Sequence, residues 1–345
     1  MERICRTAAC LALFAALASP RVSGQAAATD FVQLTSCGEA VFPSLDASAH
    51  QIAFTAVCDL VPGQNPDGGA EVFIVDVNSG RVRQLTNAPA GTYAAGPRLN
   101  ASGKKVAFGS TADLVPGENA DGSAEIFIMN VDGSGLVQLT HTPNDPNEFT
   151  TFAPAIDYAG KQVYFTSTMD LLPGGNVDGS REIFGVAADG TGLRQLTASL
   201  DASTDPAVDA SGDVYFICNG GCGAATGGPS HLMRIRSDGT GLVRLTSIGD
   251  NGDEVGVDAA GNRVVFSSTS DLVPGGNSDG NMEIFAYDVD SETITQVTAT
   301  TGGGGCAVPV VSANGMTVAF SSDRDLVPGS NPALKREVFM ARLRR

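Results

Sequence analysis

The chain has 345 residues, with 38 Asp and Glu against 21 Lys and Arg, and a formal net charge of −17. A chain this acidic repels nucleic acid and anionic membrane surfaces, so both are excluded as partners. No stretch is long and apolar enough for a transmembrane helix, so no membrane span is expected.

The first 24 residues have the three parts of a secretory signal peptide. Arg3 and Arg6 precede an apolar run over residues 8–18, and Val22, Ser23 and Gly24 supply small residues before a cleavage site. We therefore predict that residues 1–24 are removed and that residues 25–345 are exported, to the periplasm or beyond the cell. The exported part carries a charge of about −19, because the removed segment holds three Arg and one Glu.

One phrase recurs six times in the predicted mature chain. The tripeptide Gln-Leu-Thr or a variant of it begins at Gln33, Gln84, Gln138, Gln195, Arg244 and Gln296. Each copy contains four short alternating segments, which are typical of strands, and no helical pattern. Four strands in each unit of about 50 residues indicate propeller blades, whereas a β-sandwich would not need six copies of one phrase.

The predicted fold is all-β, a six-bladed β-propeller of four-stranded antiparallel blades in a single domain over residues 25–345. The repeats cover approximately residues 36–86, 87–140, 141–197, 198–246, 247–298 and 299–345, the last with residues 30–35. The final copy ends after its third strand, and residues 30–35 read as a fourth strand with nothing before it. The N- and C-terminal strands should therefore share the last blade and close the ring.

Phenylalanine recurs at the same place in the second and third strands of the copies. The second-strand positions are Phe54, Phe108, Phe165, Phe216, Phe266 and Phe320, and the third-strand positions are Phe73, Phe127, Phe184, Phe285 and Phe339, with Met233 in the fourth copy. This periodicity predicts a repeated core rather than a ligand cage.

These residues resemble the WD-like propeller repeat of the TolB family. The resemblance rests on Asn100-Ala-Ser-Gly-Lys-Lys-Val-Ala-Phe108, Glu125-Ile-Phe-Ile-Met129 and Asp132-Gly-Ser-Gly-Leu-Val-Gln-Leu-Thr140, and it extends over about residues 31–345. It implies a propeller fold and export. TolB also has an N-terminal α/β domain, for which the predicted signal leaves no room, so the resemblance does not imply the role of TolB in the Tol–Pal system.

A second phrase, Asp-Leu-Val-Pro-Gly-x-Asn-x-Asp-Gly-x-x-Glu, follows the second strand in four copies. Its Asn, Asp and Glu oxygens could hold calcium, although the spacing is not that of an EF-hand loop. The candidate ligands are Asn65, Asp67, Glu71, Asn119, Asp121, Glu125, Asn176, Asp178, Glu182, Asn277, Asp279 and Glu283. The alternative is structural: Pro-Gly and Asp-Gly form turns, and the polar side chains satisfy loop amides. We expect the structural role and no cofactor.

No catalytic set stands out in the sequence. Residues 276–280 match the Gly-x-Ser-x-Gly elbow, but this motif needs a strand before it and a helix after it. His50, His141 and His231 lie at unrelated places in three repeats. We therefore expect a non-catalytic protein-binding or scaffolding propeller, and a monomer. The alternatives are a hydrolase or lyase with its site at the channel mouth, and a calcium-dependent adhesion module.

Five cysteines follow the predicted signal. Cys37 and Cys306 precede equivalent strands of two blades that ring closure makes neighbours, so we expect them to form a disulfide across the seam. Cys218 and Cys222 would close the loop of the fourth blade, which leaves Cys58 unpaired.

The predicted partner is a protein or peptide, possibly basic, that docks around the channel mouth on the face with long loops. Binding residues collect on long loops that a rigid scaffold holds in place. That face also holds eight loop acids, which should attract a basic segment. They are Asp59, Asp67, Asp113, Asp121, Asp170, Asp178, Asp271 and Asp279.

Overall fold

A computed structural model describes residues 21–22, 28–143, 151–199, 201–220, 228–249 and 252–343. Every regular element in these ranges is a β-strand or short turn, and no helix among them is long and apolar enough to cross a membrane. The predicted signal peptide lies outside the described residues, except for strand β1 (Arg21–Val22), which pairs in parallel with the outer strand of the fifth blade.

Six four-stranded antiparallel sheets are arranged as blades, which confirms the predicted six-bladed propeller. The first blade contains β3 (Ala40–Leu45), β4 (Gln51–Ala56), β5 (Glu71–Asp76) and β6 (Val82–Gln84). The second contains β7 (Ala94–Leu99), β8 (Lys105–Ser110), β9 (Glu125–Asn130) and β10 (Val137–Gln138). The third contains β11 (Thr151–Ile156), β12 (Gln162–Ser167), β13 (Glu182–Ala187) and β14 (Arg194–Gln195).

The remaining three blades follow the same order from the channel outwards. The fourth contains β15 (Ala202–Val208), β16 (Val214–Asn219), β17 (Ser230–Ile235) and β18 (Val243–Gly249). The fifth contains β19 (Asp253–Val257), β20 (Arg263–Ser268), β21 (Glu283–Asp288) and β22 (Thr293–Gln296). The sixth contains β23 (Cys306–Val311), β24 (Thr317–Ser322), β25 (Glu337–Leu343) and, as its outer strand, β2 (Ala28–Gln33).

The sixth blade closes the ring as predicted, because its outer strand comes from the N-terminal part of the chain. Strand β2 pairs antiparallel with β25, with Gln33 opposite Phe339. The Thr35 hydroxyl accepts a hydrogen bond from the Val338 amide at 2.9 Å and donates to Glu337 at 2.5 Å. The seam is thus held by buried polar contacts as well as by the ladder.

The repeated phenylalanines form the core. In five blades the second- and third-strand rings are stacked, with centroids 5.7–6.1 Å apart, and in the fourth blade Phe216 lies opposite Met233. The apolar clusters run between neighbouring blades, so each blade is stabilised by the next one. The prediction that these rings belong to a repeated core is confirmed.

Antiparallel pairing separates the connections into two faces. In the first blade, the turn between β3 and β4 covers residues 46–50 and the turn between β5 and β6 covers residues 77–81. The loop between β4 and β5 covers residues 57–70 and lies on the opposite face, together with the link over residues 85–93 to the next blade. We call these the short-loop face and the long-loop face.

Candidate functional site at the channel mouth

A bulge interrupts the innermost strand of every blade, near the end of the channel on the long-loop face. At each bulge one residue has a φ between 50° and 64°. These six bulge residues are Phe42, Gly96, Ala153, Asp205, Glu254 and Val308. A left-handed backbone conformation costs about 1 kcal/mol or more for a residue with a side chain. Five of these six bulge residues line the wall of one cavity.

This cavity has a volume of about 300 Å³ and lies at the long-loop mouth of the channel. Its wall contains three aromatic rings, from Phe42, Tyr93 and Phe152. Its charged groups come from four blades: Arg98, Arg181, Asp205, Asp253 and Glu254. A concave site with apolar walls and a few convergent polar groups is the usual form of a ligand site.

Two of the acids lie close together across a blade boundary. Asp205 lies at the bulge of β15 and Asp253 begins the neighbouring strand β19, and both residues line the cavity. Two neighbouring carboxyl groups disfavour joint ionisation, so the pair retains one proton up to the raised pKa. Burial and then the charge of Asp253 raise the pKa of Asp205 to about 7. Loss of solvation within the cavity also raises the pKa of Asp253.

Glu254 is the third acid of the group. Burial first, and then the charges of Asp205 and Asp253, raise its pKa well above the ordinary value, although its carboxylate accepts a hydrogen bond from the Val308 amide. The pKa values of all three acids are therefore raised above their ordinary range. This property distinguishes them from the exposed loop acids, whose pKa values are lowered.

Two arginines complete the cavity without neutralising the acids directly. Arg98 donates to the Pro97 carbonyl at 3.1 Å, and the Arg181 guanidinium lies 5.3 Å from the centre of the Phe152 ring. Burial lowers the pKa of Arg98, while the charges of Glu254 and Asp205 act in the opposite direction. Among the described residues, neither arginine forms an ion pair within 4.0 Å. Cations and acids thus share the cavity with space between them.

The cavity at the other end of the channel is smaller and has fewer charged residues in its wall. A second cavity of about 90 Å³ lies among the far ends of the inner strands, beside Tyr158 and Ala313. Arg98 lines both cavities and so lies between them. Burial, Asp258 and Asp209 raise the pKa of Tyr158 to about 12, so its hydroxyl stays neutral. The cavity at the long-loop mouth is the larger of these two and holds more charged side chains.

The acids of the Asp-Leu-Val-Pro-Gly loops are placed differently. In the second blade, Asp113 accepts hydrogen bonds from the Gly117 amide at 2.8 Å and the Asn119 amide at 3.0 Å. The Asn119 side chain donates to the Ser123 carbonyl at 2.9 Å. The backbone amides lower the pKa of Asp113, and the same pattern is seen at Asp59, Asp170, Asp271 and Asp325. These acids hold their own loops, which supports the structural interpretation.

The glutamate that ends the phrase is buried. One carboxylate oxygen of Glu125 accepts from the Thr140 hydroxyl, and the other accepts from the Thr142 amide at 2.5 Å and the Thr142 hydroxyl at 2.7 Å. Glu71, Glu182 and Glu283 are held in the same way. No three His, Cys, Asp or Glu side chains within the described ranges could hold a metal ion together. The expectation that the twelve candidate residues have a structural role, without bound calcium, stays a prediction.

The cysteines pair differently from the prediction. Cys37 bonds to Cys58, with Cα atoms 6.0 Å apart, and Cys306 is a buried free thiol, so the expected Cys37–Cys306 bond and the unpaired Cys58 were wrong. The reason is strand register: β3 and β4 pair Ala40 with Ala56, which places residues 37 and 58 at the same end. Cys218 is also disulfide-bonded, and the proposed partner Cys222 lies outside the described residues.

The three histidines do not meet. His50 is on a short-loop turn, His141 lies 3.7 Å from the exposed Glu118, and His231 is buried in β17. Ser278 lies in a turn of a long loop, with no helix after it. The structure therefore brings together none of the sequence motifs considered for catalysis.

The residues that do meet were missed by motif reasoning, but they leave a signal in the repeats. The inner strands read Phe-Pro, Gly-Pro, Ala-Pro, Asp-Pro and Val-Pro at the bulge in five blades, and Glu-Val in the fifth. The residue before the proline is the one that varies, and only the fourth and fifth blades place an acid there. Aligning the copies and inspecting this variable column would have indicated Asp205 and Glu254.

No protein-family model matches the chain, and no curated protein sequence matches it. Solved structures resemble it in fold. TolB from Acinetobacter baumannii has a TM-score of 0.57 at 16% identity, covering 87% of this chain and 65% of its own. Putative TolB from Agrobacterium tumefaciens has a TM-score of 0.58 at 12% identity, and the match covers 89% of this chain and 91% of that protein. An oligogalacturonate lyase in complex with manganese has a TM-score of 0.55 at 14% identity, and the match covers 95% of this chain and 99% of the lyase.

The chain spans just under two thirds of the length of the Acinetobacter TolB. The expectation that the chain is not an enzyme was wrong as a conclusion, because the lyase shows that catalytic proteins also have this fold. At these identities the likeness establishes the fold alone: the chain has the six-bladed propeller of the TolB type.

Proposed function

We propose that the protein is an exported binding propeller that docks a segment of a partner protein at the long-loop mouth of its channel, and that a basic side chain of this segment enters the cavity. The observation that carries the proposal is the 300 Å³ cavity to which four blades contribute charged side chains. Only the closed ring brings these four blades together, so the site is a product of the fold rather than of one loop.

The charge of the site favours a basic segment. When every group is ionised, the cavity holds three acids and two arginines and has a formal charge of −1, in a protein whose net charge is −17. An acidic surface attracts a basic segment over several ångströms and speeds its capture, and added salt weakens that attraction. The loop acids around the mouth, including Asp67 and Asp121, contribute to this field while they hold their turns.

Fluorescence anisotropy with a labelled, end-blocked seven-residue peptide that contains three lysines tests the proposal. We expect saturable binding that weakens as salt rises, and no binding of the matched peptide with three glutamates. Glu254→Gln should weaken binding by about tenfold to a hundredfold, since a hydrogen bond to a charged group contributes about 1.5–3 kcal/mol. Asp189→Asn, on the short-loop face, is the matched control and should bind as wild type does. Equal binding of the two peptides would refute the proposal.

A second candidate function is acid–base catalysis in the same cavity. The specific observation is the Asp205–Asp253 pair, in which one shared proton makes one carboxyl an acid and leaves the other a base. Mass spectrometry of oligosaccharides after incubation with the protein would detect turnover. Loss of turnover in Asp205→Asn with retained folding would support catalysis, and no turnover by wild type would argue against it for that substrate class.

A further inference from the structure

The Asp205–Asp253 pair lacks a close cation in the part of the chain that the structure describes. The cations that line the same cavity are Arg98 on β7 and Arg181 immediately before β13, and neither lies within 4.0 Å of a carboxylate of any described residue. Glu254, on the same strand as Asp253, adds negative charge. The uncharged contacts are the Thr204 side chain to Asp205 and the Glu254 amide, which donates to Asp253 at 3.2 Å. Two such close carboxyl groups both ionise only above the raised pKa of the pair or when another cation arrives.

The cavity in front of the pair suits one long side chain. Its volume of about 300 Å³ is at the small end of the range for ligand sites. Phe42, Tyr93 and Phe152 provide apolar walls, against which an alkyl stem can pack while its charged end reaches the acids. An anion would meet three acids beside the two arginines, so the fully ionised site, with a formal charge of −1, disfavours it.

Resting on the proposed function, we propose that the cavity exchanges the proton shared by Asp205 and Asp253 for the charged end of a lysine or arginine side chain of the partner, so that capture of the partner is coupled to proton release. One proton leaves the pair for solvent as one cation enters, and the charge of the site is conserved. Acid pH therefore disfavours the complex by protonating the site, without any change in the fold.

The direction of the pH effect follows from the free site. The cation binds the ionised pair, so affinity rises with pH and levels off above the pKa of the free pair. With the pKa of Asp205 at about 7, affinity should rise by a factor of roughly 90 between pH 5 and pH 8. An exposed carboxylate with an ordinary pKa near 4 would give a change of only about 10% over the same interval.

Isothermal titration calorimetry with an end-blocked Gly-Gly-Lys-Gly-Gly peptide, in two buffers of different ionisation enthalpy at each pH from 5 to 8, tests the coupling. The matched control peptide replaces lysine with norleucine, which keeps the stem and removes the charge. We expect release of about one proton for each peptide bound near pH 6, and the affinity ratio given above. Asp205→Asn should bind more weakly, without proton release and with a nearly flat pH profile, whereas Asp189→Asn should match wild type.

The outcomes separate the two proposals. Lysine-dependent binding with equal affinity at pH 5 and pH 8 and no proton release would overturn the exchange and leave the proposed function standing. Failure of the lysine peptide to bind at every pH would overturn both. Thermal melts of each variant at the same pH values confirm that the measured protein is folded.

Discussion

Replacing Thr140 with valine tests whether the recurring Gln-Leu-Thr phrase is there for its threonine hydroxyl. Thr140 is buried, its hydroxyl donates to the Glu125 carboxylate, and it accepts a hydrogen bond from the Ile126 amide at 2.9 Å. Valine has nearly the same shape, so packing is kept while both bonds are lost. The amide left unsatisfied costs about 1–3 kcal/mol and the bond to the charged group about 1.5–3 kcal/mol, so we expect a loss of about 4 kcal/mol.

Differential scanning calorimetry or a circular-dichroism melt measures this effect. At about 2.1 cal/mol/K per residue over roughly 320 residues, a loss of about 4 kcal/mol lowers Tm by about 6 °C. Thr140→Ser is the control, because it keeps the hydroxyl and removes only a methyl group, at a cost of about 1 kcal/mol. If valine and serine lower Tm equally, the hydroxyl is not what the phrase preserves, and the same reasoning fails for Thr35 at the seam.

Three further predictions concern the acid pair, the disulfide and calcium. The raised pKa of Asp205 means that the stabilising contribution of this carboxyl group is complete below pH 4 and is lost as pH rises through about 7. The Asp205→Asn variant should therefore have a higher Tm than wild type at pH 8 and a similar Tm at pH 4. A Tm difference that does not change with pH would contradict this. Cys58→Ser should lower the free energy of unfolding by about 3 kcal/mol, because it opens the loop between two cysteines that are 21 residues apart. Peptide mapping without reduction should link Cys37 to Cys58, and a peptide that links Cys37 to Cys306 would contradict the structure. Excess chelator should leave Tm unchanged, because hydrogen bonds already engage the loop glutamates. A decrease in Tm of several degrees that added calcium reverses would show that the loops bind calcium.

The repeat made the architecture predictable. Strand number, blade number and the phenylalanine core all follow from positions that recur, such as Phe108 and Phe127, since each blade must present the same apolar surface to its neighbours. Ring closure was predictable because the last copy lacks a strand that residues 30–35 supply. These features depend on what the copies share.

The site depends on what the copies do not share, and so it escaped prediction. Asp205 and Glu254 occupy a position where the other blades have Phe, Gly, Ala or Val, and Asp253 and Arg98 come from different repeats. Their proximity is a property of the closed channel, and one copy of the repeat contains no sign of it. The disulfide was mispredicted for a related reason: comparing equivalent positions in different blades pointed to Cys306, whereas the register inside one blade pairs Cys37 with Cys58.

Carboxyl footprinting tests most directly whether the channel mouth is the binding site. The protein is labelled with a carbodiimide and glycine ethyl ester, with and without the lysine peptide, and modification of each acid is measured by peptide mass spectrometry. We predict that the peptide protects Asp205, Asp253 and Glu254 and leaves the labelling of Asp189 unchanged. Unchanged labelling of the three acids under saturating peptide, or protection confined to Asp59 and its equivalents on the loops, would contradict the account.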